Sequence, residues 1–209
     1  MMKPRHRFVL LDLGLVVMWS SGYIGAKLAA ETESVYLVLF WRFLLVSLLL
    51  MAASIRHIRA GGARSLWVNG LLGFCGMFLP IGCAIVAVDM GMAAGTVSII
   101  YALQPLLTAV VAGPFLGERV TTREWTGLAV AFVGVAIAGG YGGLSAPGIA
   151  YLLTMLGTVG MVAATVIGKA SMDETPILPA IGIQSSFSAA LFLPFALADV
   201  GLRPPRHSG

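Results

Sequence analysis

Between Asp89 and Glu118 the chain carries no charge, reading MGMAAGTVSIIYALQPLLTAVVAGPFLGE from Met90 to Glu118. A bilayer's hydrocarbon core is ~30 Å thick and takes ~20 predominantly apolar residues to cross as a helix. The stretch therefore predicts a membrane span. Pro105 has no N–H to offer the carbonyl of Tyr101, so this span should kink or break near its midpoint, where neighbouring helices must satisfy the freed group. At ~100° per residue, Ser98, Tyr101, Gln104 and Thr108 share an arc of about 120° beside that break. Lipid offers these groups no hydrogen-bond partner, so the arc should face protein or water. Discontinuous helices at mid-membrane are where transport proteins tend to place their ligands.

The rest of the chain fits the same solvent. Hydrophobic residues make up 58% and charged residues 11%, against about 25% charged in soluble domains. The fold class read from this is an all-α polytopic membrane protein. A net charge of +4 sits in short loops rather than on one folded face, so it sets topology and gives no case for nucleic acid. Cys75 and Cys83 lie about 12 Å apart along one helical run, too far to pair readily. His6, His57 and His207 fall in tails or loops far from both, so neither a zinc site nor any other cofactor is implied. Intramembrane catalysis would want a histidine or paired carboxylates at depth, and no histidine lies in a span; the chain does not read as an enzyme.

Uncharged windows place seven spans, at about 8–29, 34–54, 67–88, 93–116, 124–141, 148–168 and 177–198. The run after Trp125 is too long for one helix, and Gly139-Gly140-Tyr141-Gly142-Gly143 with Pro147 marks a turn inside it. Lys3, Arg5, Arg7, Arg56, Arg59, Arg64, Arg119, Arg123 and Lys169 all fall on one side if the N-terminus is cytoplasmic. Arg203 and Arg206 then lie on the other side, and the tail GLRPPRHSG reads as an added or interrupted end. The basic start followed by an apolar run also allows a cleaved signal with its site near Ala29 and Ala30. Asp12, Trp19, Tyr23 and Lys27 inside the run favour an uncleaved first span.

One offset aligns Lys27 with Lys169 and Arg42 with Gln184, so spans six and seven repeat spans one and two weakly. A repeat unit of five helices is odd, which reverses the orientation of its next copy and gives an inverted repeat.

Several residues are candidates for a site, each with a plainer reading. Arg42 interrupts an uncharged run, and an intramembrane charge is by default functional; snorkelling, or pairing with Glu31 or Glu33, is the structural alternative. In the first span Asp12, Trp19, Ser20, Tyr23 and Lys27 form a polar, aromatic stripe expected to face the bundle interior. Asp12 would carry a coupling proton, or else pair with Arg5 or Arg7 at the interface. Lys27 would meet an anionic group, or else snorkel. Ser98, Tyr101, Gln104 and Thr108 would line a pocket with Pro105 as hinge, or else hold helices together at ~0.6–2 kcal/mol each. Gln184 is the equivalent residue of the second copy. Glu118 and Arg119 read as turn or capping residues. In the fifth span Gly127, Ala131, Gly134 and Ala138 form a small-residue ridge along which helices approach closely.

Taken together, Trp19 with Lys27, Trp41-Arg42-Phe43, and above all YALQPLLTAVVAGPFLGERVTTREWTGLAVAFVGVAIAGG ending at Gly140 resemble the EamA family of the drug/metabolite transporter superfamily. Gln104-Pro105, Leu116-Gly117-Glu118 and Trp125-Thr126-Gly127 are the specific part. The resemblance implies a first five-helix domain over 8–141, the first two helices of a second domain over 148–200, and a polar tail over 201–209. Family members usually have ten spans and move small metabolites, amino acids, nucleosides or drugs. What is implied is a secondary-type exporter of a small molecule in a bacterial inner membrane, working by alternating access with its substrate among spans one, two, three, four, six and seven. The fifth-span ridge would then be a packing or homodimer face. The alternative expectation is a truncated, non-transporting bundle or assembly fragment of such a carrier.

Overall fold

A computed structural model describes residues 34–116, 121–140, 146–171 and 175–202, and among them every regular element is helical. In order these are α1 (Val35–Gly73), a π-helical segment (Phe74–Phe78), α2 (Leu79–Asp89), α3 (Ala94–Tyr101), α4 (Gln104–Leu116), α5 (Thr122–Gly140), α6 (Gly148–Ala170) and α7 (Ile177–Leu202). Among the described residues four stretches are long and apolar enough to cross a membrane: Gly62–Asp89, Ala94–Val111, Gly148–Ala170 and Ile177–Asp199; Val35–Leu50 is a shorter apolar helix. The chain is an all-α, multi-pass membrane protein. The expected first span, 8–29, lies outside the described residues.

Two compact units divide the chain. In the unit containing Met1–Arg42 and Phe192–Gly209, Ser34 starts α1. Its Oγ accepts the N–H of Leu37 at 3.2 Å, meeting one of the donors that a helix start leaves unpaired. Tyr36 stacks on Phe195 with ring centroids 5.8 Å apart, and Leu39, Phe192 and Ala196 are buried.

The second unit, Phe43–Leu191, holds the broken span. Here the structure corrects the boundary read from the charges. A loop was expected between 54 and 67, but α1 is helical on both sides of Gly62, where φ is 68° and ψ is −176°. A left-handed φ costs glycine nothing sterically, so one residue redirects the chain where the arginines suggested a loop. Gly91, at φ 95°, closes α2 in the same way: the N–H of Met92 returns to the carbonyl of Ala87 at 3.0 Å.

α6 is the centre of this unit and packs against the π segment, α2, α3 and α4. Small residues make that possible. A β-carbon added at Gly160 would lie 2.8 Å from the carbonyl oxygen of Cys75 and 2.9 Å from Leu79 Cδ2, and one at Gly76 would lie 3.1 Å from Ala164 Cβ. Gly157, Gly160, Ala164 and Gly168 thus form a groove in α6 into which the third span settles, the close approach that drives helix association in lipid. Ala87, Met92, Val97 and Ala150 form a buried cluster at one end, with Tyr101 and Tyr151 packed on it. Thr154 and Thr158 are fully buried in α6. Each turns its hydroxyl back onto its own helix, to the carbonyls of Ala150 (2.9 Å) and Thr154 (3.0 Å).

Candidate functional site

The fourth span is interrupted. α3 ends at Tyr101, Ala102 and Leu103 form a turn, and α4 begins at Gln104. Ala102 still bonds four residues back, to Ser98 at 3.0 Å, but Leu103 tightens to a three-residue step, to Ile100 at 3.1 Å. Pro105 follows in the first turn of α4, where its missing N–H is least costly. Its ring is exposed.

Three of the four side chains on the expected polar arc take different hydrogen-bond partners. Ser98 Oγ donates to the carbonyl of Ala94 on its own helix at 3.0 Å. Tyr101 donates its hydroxyl proton to the carbonyl of Pro80 at 2.5 Å. Gln104 Nε2 reaches Thr165 Oγ1 in α6 at 3.3 Å, and Thr165 in turn donates to Met161 O at 3.0 Å. Thr108 Oγ1 is buried and has no hydrogen-bond partner among the described residues. Tyr101 and Gln104 therefore face neighbouring helices, while the Thr108 hydroxyl is left unmet by the described residues.

Gln184 lies elsewhere in this unit. Its Nε2 donates to Asn69 Oδ1 at 3.1 Å, and Asn69 Nδ2 donates to the carbonyl of Ser65 at 3.0 Å. Around this amide pair, Ser47 meets Ser186 at 2.6 Å, Ser65 meets Thr175 at 2.7 Å, and Ser188 donates to the carbonyl of Gly73 at 3.3 Å. The result is a polar seam between α1 and α7. Arg42 belongs to the other unit and is exposed. Asp12, Trp19, Ser20, Tyr23 and Lys27 lie outside the described residues. Among the described residues no group of His, Cys, Asp or Glu is placed to hold a metal ion.

Reasoning from the sequence missed Asn69, Thr165, Pro80 and Gly157. Asn69 had a usable signal, being an amide inside an apolar run that predicts a span. Pro80 had one too, a proline in the middle of the third window. Gly157 and Thr165 had none, because only the packing of α6 on the broken span gives them a partner.

Residues 7–140 match the EamA-like transporter family. A probable terminal-alkyne amino-acid exporter of Streptantibioticus cattleyicolor is 32% identical over 135 residues, 60% of this chain and 43% of that protein. The uncharacterized inner membrane transporter YedA of Escherichia coli K12 is 24% identical over 156 residues, 74% of this chain and 51% of the relative. The uncharacterized transporter YvbV of Bacillus subtilis is 27% identical over 197 residues, 91% of this chain and 63% of the relative. The chain thus spans about half the length of the curated relatives it matches. No solved structure matches it significantly.

Proposed function

Because the chain belongs to the EamA-like transporter family, we propose that it serves in the export of a small, amino-acid-like metabolite or drug across a bacterial inner membrane by alternating access. Membrane transport is the activity named in its relatives, and one of them is named an amino-acid exporter. The observation that carries the proposal is the interrupted fourth span with the buried, unmet hydroxyl of Thr108 one turn beyond Gln104. An unsatisfied buried hydroxyl costs ~1–3 kcal/mol, and a polar substrate group arriving at the break would meet it. Irregular backbone at membrane depth is tolerated where it lines such a path.

In this reading 8–141 is one five-helix repeat and 148–200 begins its inverted copy, with the N-terminus cytoplasmic. Gln104, Thr108 and Ser98 line the substrate path beside Tyr101. Pro105 is the hinge, Arg42 and Gln184 are the paired residues of the two copies, and Trp19, Ser20, Tyr23, Asp12 and Lys27 come from the first span. Efflux of labelled amino-acid-like compounds from vesicles containing the chain tests it. Wild-type flux with Gln104→Ala, Thr108→Val and Arg42→Ala alike would remove this site.

An alternative reading is a bundle that binds such a compound without passing it, and equilibrium binding in the absence of flux separates the two.

A further inference from the structure

We propose that Tyr101, Pro80 and Gly157 form a strut that fixes the angle between the two arms of the broken span, with Gly157 as a positioning residue that acts by admitting the tyrosine hydroxyl between helices. Three elements meet at this point. Tyr101 is the last residue of α3, immediately before the turn that separates α3 from α4. Its hydroxyl donates to the carbonyl of Pro80, the second residue of α2, at 2.5 Å. Gly157 of α6 lies against both: a β-carbon there would fall onto the tyrosine hydroxyl, 3.0 Å from the ring Cζ and 3.1 Å from Pro80 Cα.

Each partner sits at an irregularity of its own helix. Pro80 lies two residues past the end of the π-helical segment Phe74–Phe78, with Leu79 between, and Tyr101 precedes the break at Ala102 and Leu103. Irregular points are where membrane helices bend. A hydrogen bond joining two of them, seated against a glycine on a third helix, holds both bends together. Gly157→Ala cannot keep this arrangement, because the methyl and the hydroxyl claim the same space. The neighbouring contact at Gly160 is made to Cys75 and Leu79 instead, so the fit to Tyr101 is specific to Gly157.

The geometry of the strut stands without the transport reading; its consequence for flux rests on that reading. Cys83, one turn beyond Pro80 in α2, is a buried free thiol and a native probe, with half-buried Cys75 as internal reference. The full chain in lipid vesicles is treated with N-ethylmaleimide, and peptide mass spectrometry follows the two cysteines separately. Tyr101→Phe should raise Cys83 alkylation about three- to tenfold, the population change that one hydrogen bond between membrane helices sustains. Gly157→Ala should raise it at least as much, and in the double variant part of the Gly157→Ala increment should vanish, because loss of the hydroxyl removes the severest overlap with the methyl while the contacts to ring Cζ and Pro80 Cα stay tight. Wild-type labelling in Tyr101→Phe, or increments that simply multiply in the double variant, would overturn the strut. If Gly157→Ala does not insert, Tyr101→Phe decides alone. In a flux-competent wild type Gly157→Ala should change the maximal rate with KM nearly unchanged. Absent wild-type flux counts against transport and leaves the labelling test intact.

Discussion

Gln184 donates from Nε2 to Asn69 Oδ1 at 3.1 Å, in a contact where Asn69 is only 1% exposed. The pair lies within the polar seam between α1 and α7. Truncating one amide leaves the other buried without its partner, at ~1–3 kcal/mol. Asn69→Leu and Gln184→Leu should each lower the melting temperature in detergent. The double variant should cost less than the sum of the two, with a coupling of about 0.6–2 kcal/mol.

Two glycines should respond oppositely to alanine. A β-carbon at Gly73 would come within 2.6 Å of the carbonyl oxygen of Gln184 and 3.0 Å of its Cα. These are backbone atoms that cannot turn aside, so Gly73→Ala should push α7 away and cost ~1–3 kcal/mol. At Gly127 in α5 nothing lies within 4 Å, and Gly127→Ala should be neutral or stabilising by up to ~1 kcal/mol through helix propensity. A Gly127→Ala variant that loses a dimer on size-exclusion chromatography would instead give the ridge of Gly127, Ala131, Gly134 and Ala138 to a second copy.

Gly62 turns α1 with φ at 68° in open space. A side chain fits in the space there, but φ 68° with ψ −176° is a backbone that essentially only glycine adopts, so Gly62→Ala and Gly62→Asn should both destabilise, by ~1–3 kcal/mol. Thermal unfolding of the two variants beside the wild type checks the loss.

Thr108→Val removes the buried hydroxyl that has no partner while keeping the shape of the side chain. The fold should be unchanged or more stable by about 1 kcal/mol. Under the transport reading, affinity for a polar substrate should fall in the same variant. Melting temperature and binding measured on one preparation report both.

Membrane helices were legible in the sequence because charge is excluded from a span more strictly than any propensity acts. Gaps between charged residues placed α6 and α7 and the start of α1 to within a few residues, and Pro105 marked the interrupted span. The charge pattern failed at 55–66, since arginines in a helix that emerges from the bilayer resemble a loop, and only a glycine conformation distinguishes the two. Side-chain partners were less legible still. The helical wheel put Tyr101 and Gln104 on one face but held nothing about Pro80, Gly157 or Thr165. Those residues become neighbours only after α6 has packed against the interrupted span.

The π segment before Pro80 has a consequence for sequence change. One extra residue in a turn rotates everything downstream by about 100°. The length of Phe74–Phe78 therefore sets the azimuth at which Pro80, Cys83 and Ala87 point. A single-residue deletion there would preserve composition, hydrophobicity and span length, yet swing the Pro80 carbonyl out of reach of its tyrosine and turn a buried flank of α2 toward lipid. In this protein, the tolerance of the third span to insertion and deletion is governed by phase rather than by apolar content.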